Sequence, residues 1–439
     1  MATVNEAEAP QPRKIVIDLP TADGASKATV TLQENEDATK PPLLLNISKR
    51  ALDSPDTNTT LTERKTHVII SVGSGTRQAE NFFNTVVKPI LTAIHGEDGV
   101  SKIKVHTTTS ATSISDYTNT IFFPAANSGT PLRIILLSGD GGIVDLVNGL
   151  LSPPHDIAYT SPQVVLLPLG TANALYHSIN TSNEPSTWGL AALASSHSAP
   201  LPVFTATFSP GARLLVDEAR AEEALPKNEK GEGVLHGAVV ASWGMHAALV
   251  ADSDTAHYRQ YGVQRFQMAA KEALYPSDGG APHAYKARIS LLPLPPSSSS
   301  SPSQNSQQQK DWIELDTIDH MYVLATLVSH LERPFCISPA SAPLDASLRL
   351  VHFGPKTADE AMRIMGLAYQ GGKHVREEGV RYESIEGLRI RFEGLEEDGR
   401  WRRICVDGKI VRVEKEGWVE VKKDKGRRAL NVVVVAAAT

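Results

Sequence analysis

The sequence predicts an α/β domain followed by a β-rich domain, and three observations carry this. At 439 residues the chain is longer than one hydrophobic core usually serves, since single cores stop growing at roughly 250–300 residues. From residue 67 to about 180, short continuous apolar runs alternate with stretches of three- and four-residue apolar spacing. That is the order of a parallel sheet crossed by helices. After about residue 200 the chain changes to short alternating runs, which read as strands.

In chain order, residues 1–12 are polar and carry Pro10 and Pro12, which suits a loose start. KIVIDLP (14–20), KATVTLQEN (27–35) and PLLLNIS (42–48) read as strands, and ALDSPDTNTTLTERK (51–65) reads as a polar linker. HVIISV (67–72) has the continuous apolar character of a strand buried on both faces, and it ends in Gly73-Ser74-Gly75. In the stretch that follows, Phe82, Phe83, Val86, Val87, Ile90, Leu91 and Ile94 keep helical spacing. KIKVHTTT (102–109) is a second strand, SISDYTNTIFF a helix and RIILLSG (133–139) a third strand. GIVDLVNGLL (142–151) returns to helical spacing, and QVVLLPLG (163–170) is a strand leading into ANALYHSI.

Nine further runs between 203 and 423 read as strands, among them GAVVASWG (237–244), HMYVLATLV (320–328) and RICVDGKIVRV (403–413). Helices interrupt near 258–274 and 357–370. PLPPSSSSSPSQNSQQQK (293–310) cannot bury a core and reads as a disordered insertion between strands. The expected division is an extension over 1–65, whose strands are free to join the C-terminal sheet, an α/β domain over 66–195, a β-rich domain over 196–428 and a tail over 429–439.

Composition narrows the function without naming it. With 43 Lys+Arg against 49 Asp+Glu the net charge is −6, which disfavours nucleic acid as partner. Cys336 and Cys405 cannot build a disulfide framework, and such low cysteine usage fits a reducing interior. No apolar run approaches the ~18 residues of a membrane-spanning helix, and the start lacks the apolar core of a secretory signal. A soluble, cytoplasmic protein is expected.

The strongest local signal is IILLSGDGGIVDLVNGLL (134–151), where a buried strand runs through Gly139-Asp140-Gly141-Gly142 straight into a helix. Glycines at such a turn let backbone N–H groups approach an anion, and a helix N-terminus favours negative charge. Asp140 is odd there, because it would repel phosphate unless a metal ion or a protonatable group sat beside it. The plainer reading is a sheet that needs glycine at the turn, with Asp140 as a helix cap. A second turn, Pro168-Leu169-Gly170-Thr171-Ala172-Asn173, follows the next strand. Two such turns at the carboxyl ends of parallel strands share one rim, where α/β sheets bind ligands.

SGDGGIVDLVNGL followed by LPLGTANAL resembles the diacylglycerol kinase catalytic family, which includes sphingosine and ceramide kinases. Four later segments are similar to the sphingosine kinase branch: 241–266, 324–353, 360–375 and CVDGKIV (405–411). The resemblance spans roughly 67–425. It implies a Rossmann-like α/β domain and a β-sandwich flanking a nucleotide cleft, with ATP and Mg²⁺ as cofactors and a lipid docked in the second domain. On this resemblance Asp140 is the base for the lipid hydroxyl. Gly73, Gly75, Thr108, Ser138, Gly139, Gly141, Asp145, Gly170, Thr171, Asn173, Arg259, Arg265 and Asp407 are the nucleotide-binding residues. Asp252, with Asp254 as rival, contacts the polar head of the lipid. A sphingoid base carries an ammonium that such a carboxylate would suit, whereas diacylglycerol carries none. The implied activity is phosphorylation of the primary hydroxyl of a sphingoid base. Diacylglycerol or ceramide phosphorylation and a non-catalytic lipid-binding role are the alternatives. The lipid would be met at a membrane surface by transient peripheral contact, and a homodimer is left open.

Three departures stand out. The first loop reads Ser71-Val72-Gly73-Ser74-Gly75 where the family pattern is N-P-x-[GS]-G, and Lys409 stands where the pattern V-D-G-E has a carboxylate. A carboxylate common shortly after W-G is Ala247 or Ala248. Elsewhere plainer readings are preferred: His246 and His330 as packed core histidines, Trp243 as core, and KKDKGRR (422–428) as a solvated charge run rather than a lipid contact. The apolar face Met362, Ile364, Met365, Leu367 and Ala368 is core by default, with a lipid tunnel as the alternative.

Overall fold

The computed structural model describes residues 13–53, 64–181, 186–295 and 311–435. The expected loose start over 1–12 and most of the Ser/Gln insertion (296–310) lie outside the described residues. Strands β1 (Lys14–Pro20), β2 (Ser26–Gln33) and β3 (Leu43–Ala51) form a separate three-stranded antiparallel sheet. They do not join the C-terminal sheet, as the sequence had suggested they could. Alternation puts Ile15, Ile17 and Leu19 on one face, and these pack with Val30 and Leu32 into the core of the α/β domain, beside Phe82, Val86 and Ile90. Val16, on the other face, is 63% exposed. A one-sided apolar sheet needs a cover, and the long helix α1 (79–101) supplies it.

The α/β sheet has β4 (Lys65–Ile70), β5 (Lys104–Thr107), β6 (Leu132–Ser138) and β7 (Gln163–Pro168) in the order β5-β4-β6-β7, all parallel. Every residue of β6 is buried, which explains its unbroken apolar run. All seven residues picked out by helical spacing in α1 are buried. That helix contains a π-helical stretch at Phe83–Val87 and kinks at Gly96 (φ 70°). The remaining helices here are α2 (113–127), α3 (Asp140–Leu151) and α4 (Ala174–Ile179).

The sheet is completed from the far end of the chain. Asn431–Val433 pairs in parallel with β7 and antiparallel with β8 (Ser198–Pro200). The expected tail is thus an inner strand, with Ala429, Leu430, Val432 and Val433 buried.

The C-terminal region is antiparallel β throughout its main sheet of thirteen strands. Its spine is the 12-residue strand Val380–Arg391. The first half of that strand pairs with Arg349–Phe353, and the second half with Trp418–Lys423 and Arg288–Pro293. The apolar run read as one strand over 237–244 is two, Gly233–Gly237 and Val240–Gly244, and the run over 403–413 is a hairpin turning at Asp407-Gly408. Four helices interrupt: α5 (Met245–Asp252), α6 (Ala256–Arg259), α7 (Gln264–Leu274) and α8 (Ala358–Ala368). The sequence pattern missed α5, whose apolar run MHAALVAD follows a glycine and reads equally well as a continuing strand. Gly262 (φ 55°) separates α6 from α7, which the spacing had merged. No helix among the described residues is long and apolar enough to cross a membrane.

Candidate active site

β6 and β7 are neighbours with Ser138 opposite Pro168, so their glycine turns leave the sheet side by side. The turns touch. A Cβ on Gly170 would lie 2.4 Å from the Cα of Gly139, so only glycine at both positions allows this approach. The first loop leans on the same place: Gly75 has φ +48°, and a Cβ there would meet the Leu169 carbonyl at 2.5 Å. Gly73 and Gly141, by contrast, face open space. The loop lacking the family's Asn and Pro is tied by hydroxyls instead. Ser74 Oγ lies 2.8 Å from Ser71 Oγ and 3.2 Å from Ser138 Oγ, and Val72 N–H donates to Thr108 Oγ1 at 3.1 Å.

Asp140 caps a helix, though not its own. Its carboxylate accepts from Ala174 N–H (2.8 Å) and Leu175 N–H (3.0 Å), the first turn of α4. Burial pushes this carboxyl above the usual range while the backbone bonds pull the other way. Asn173, at φ 54°, closes the second turn on itself by accepting from Gly170 N–H and donating to Gly170 C=O. Its side chain does not line the cavity described below, whereas Thr171 does.

Asp407, at the hairpin turn, accepts from the N–H groups of Ala238, Val239 and Val240 at 2.6–3.1 Å. These amides are free because the strand breaks between Gly237 and Val240, so the missed break and the buried carboxylate explain each other. Burial pushes the Asp407 carboxyl up to about 7 against the pull of the amides, and the charge of Asp140 adds to the rise. Asp145, a turn into α3, pairs at 2.8 Å with Lys409 of the same hairpin. The residue that stands where the pattern has a carboxylate thus ties the β-rich region to the α/β domain.

Arg259 and Arg265 converge on Asp254, at 3.0 and 3.3 Å. Asp252 is held by Arg400 (2.9 Å) and Arg403 (2.8 Å), and it is not among the residues that line the cavity. Both carboxylates expected at the lipid head are therefore engaged by arginines.

Asp140, Asp145, Asp254, Arg259, Arg265, Asp407 and Lys409 line one cavity of about 1020 Å³. Its polar lining comes from the Ser71–Gly75 loop, both glycine turns, Asp145, Arg259, Arg265, Asp407 and Lys409. The rest is largely apolar, lined by Met245 and Leu249 of α5, Phe266, Ala270 and Leu274 of α7, and Met362, Met365 and Tyr369 at α8. Leu331, Glu332 and Phe335 enter from the hairpin His330–Glu332/Phe335–Cys336. The expected core face of α8 is divided: Ile364 and Ala368 are buried in the core, whereas Met362 and Met365 line the cavity. Trp243 is core, with its indole N–H donating to Trp401 C=O. His246 is buried with Nδ1 2.7 Å from Ser242 Oγ, yet it also borders the cavity. Sequence reasoning passed over Glu332 and Tyr322. Tyr322 is fully buried against the cavity, and its hydroxyl has no hydrogen-bond partner among the described residues. In the basic run, Lys422, Lys425 and Arg427 are taken by Glu420, Glu386 and the Leu151 carbonyl.

These side chains do not make a resident Mg²⁺ cage. Among the described residues no three His, Cys, Asp or Glu side chains are grouped to hold a metal ion. Asp140 and Asp407 are committed to backbone amides and Asp145 to an ammonium. Mg²⁺ is commonly held by substrate phosphates with one or two carboxylates, so a divalent ion here would have to come with the nucleotide.

The family model of the diacylglycerol kinase catalytic domain matches residues 65–206. No curated protein matches the sequence significantly. Among solved structures, a candidate diacylglycerol kinase from Bacillus anthracis str. Sterne is 13% identical, with a TM-score of 0.53 over 87% of this chain and 99% of its own. A diacylglycerol kinase from the same strain is 12% identical, with a TM-score of 0.51 over 85% and 99%. At such identities the likeness is one of fold, and it extends well past the segment matched by sequence. Residues 65–206 of this chain belong to the diacylglycerol kinase catalytic domain family, a family of lipid kinases.

Proposed function

We propose that the protein is an ATP-dependent lipid kinase that phosphorylates the primary hydroxyl of a sphingoid base, with the nucleotide in the cleft between the α/β domain and a β-sandwich. The observation that carries this reading is a single cavity lined both by glycine turns and arginines and by a large apolar surface. Phosphoryl transfer needs positioning and cations around the phosphates more than covalent help. The Ser71–Gly75 loop, Gly139, Gly141 and Thr171 would cradle the phosphates. Arg259 and Arg265 would leave Asp254 for the more highly charged nucleotide. Asp140, pinned by two amides and with its proton affinity raised by burial, would take the proton of the lipid hydroxyl.

The test is transfer from labelled ATP to sphinganine, sphingosine, ceramide and diacylglycerol. Transfer to the two sphingoid bases is expected, with Asp140→Asn slower by about 10²-fold or more. Transfer to ceramide or diacylglycerol alone would replace the substrate. No transfer to any lipid, with Asp140→Asn indistinguishable from wild type, would overturn the enzyme.

A further inference from the structure

Five carboxylates line the cavity: Asp140, Asp145, Asp254, Glu332 and Asp407. Four of them are spoken for, Asp140 and Asp407 by backbone amides, Asp145 by Lys409 and Asp254 by two arginines. Glu332 is the exception, with neither an amide nor a cation against its carboxylate among the described residues. It lines the cavity together with the apolar Leu331 and with Phe335 and Tyr369, an edge-to-face pair with centroids 4.8 Å apart. Burial raises its carboxyl to about 7, the response of an acid group that lacks a counter-charge.

Its placement relative to Asp140 is set by a single short helix. Asp140 grips the first turn of α4 at Ala174 and Leu175. One turn later Ser178 Oγ donates to His330 C=O (3.2 Å) and accepts from His330 N–H (2.9 Å), which hangs the strand bearing Glu332 on the same helix. A helical turn rises about 5.4 Å. The base for a hydroxyl and the strand that carries the unpaired carboxylate are therefore anchored about one turn apart on the same helix, with Glu332 two residues along the strand from that anchor and both carboxylates lining one cavity.

We propose that Glu332 is the residue that selects an amino alcohol lipid, pairing with an ammonium on the carbon next to the hydroxyl presented to Asp140. This rests on the lipid-kinase reading and names the residue that gives it its substrate class. In an apolar wall a carboxylate is stabilised most by a cation that the ligand itself brings, and a neutral lipid brings none.

The experiment compares wild type, Glu332→Gln and Glu332→Asp with sphinganine and with N-acetylsphinganine, which keeps the chain and hydroxyls but loses the charge. Steady-state transfer and equilibrium binding of a fluorescent sphingosine without ATP are both measured. Glu332→Gln is expected to shift the KM ratio of sphinganine to N-acetylsphinganine by about tenfold or more, mainly through KM rather than kcat. Glu332→Asp is expected to restore part of the shift. An unchanged ratio, or equal losses on both lipids, overturns the proposal. Should wild type transfer phosphate to no lipid, the kinase reading fails, and the binding arm still decides Glu332. About tenfold weaker binding of sphingosine by Glu332→Gln supports the site, and equal binding refutes it.

Discussion

At the scale of single residues, the carboxylates of the cavity divide into four that are held by other groups of the protein and one, Glu332, without a partner among the described residues. Asp407 belongs to the first group. Three amides point at one buried carboxylate, and bonds to a charged acceptor are worth about 1.5–3 kcal/mol each. Asp407→Asn keeps one acceptor oxygen but turns an NH₂ toward the amides. It is expected to lower stability by about 2–3 kcal/mol, read as a shifted urea midpoint with an unchanged slope. An unshifted midpoint together with weakened ATP binding would make Asp407 a nucleotide ligand rather than an anchor. Lys409 shows the same principle. In the sequence it is a departure from the motif, and in place it is the partner of Asp145, tying the β-rich region to the α/β domain.

At the scale of elements, the site is made by three turns leaning on one another. Their glycines fall into two kinds that sequence spacing cannot tell apart. Gly170→Ala would drive a methyl into the Gly139 backbone, where neither chain can yield without moving a whole turn. Overpacking of this sort costs about 1–3 kcal/mol, so a lowered melting temperature and lost transfer are expected together. Gly141→Ala meets nothing within 4 Å and sits inside α3, where alanine is the better helix former. That variant should melt no lower than wild type and still bind ATP more weakly, because its methyl occupies the space a phosphate would use. Thermal melts alongside nucleotide titration separate the two, and identical behaviour would argue against the phosphate cradle.

At the scale of the molecule, the parallel sheet is completed by a strand from beyond the β-rich region. Asn431–Val433 fills the place between β7 and β8, so the β-rich region is threaded between two parts of one sheet. Truncation after Arg428 removes four buried apolar side chains and uncovers the edge of β7. At about 1.5–3 kcal/mol for each of the larger ones, the loss approaches a typical folding free energy. A chain ending at Arg428 is expected to be insoluble or to lose its cooperative melt, while one ending at Val435 melts normally. Equal melting of the two would show the strand to be dispensable.

By itself the sequence determined the alternation of strand and helix from residue 67, the glycine turns at the strand ends and the change to β structure near residue 200. These are written in periodicity and in the tolerance of glycine for close approach, which act over a few residues. Periodicity also says that a residue faces inward, as with Met365 and Ile364, but not whether a core or a cavity lies there. Only the tertiary structure decided which carboxylates are free. Asp140 finds its donors 34 and 35 residues away and Asp407 about 168. Asp145 meets Lys409 after 264 residues, and Asp252 meets Arg400 after 148. A charge is neutralised by whatever the fold brings within about 4 Å, and no local pattern encodes that. For the same reason Glu332, unremarkable in its strand, stands out only after every other acid in the cavity has found its partner.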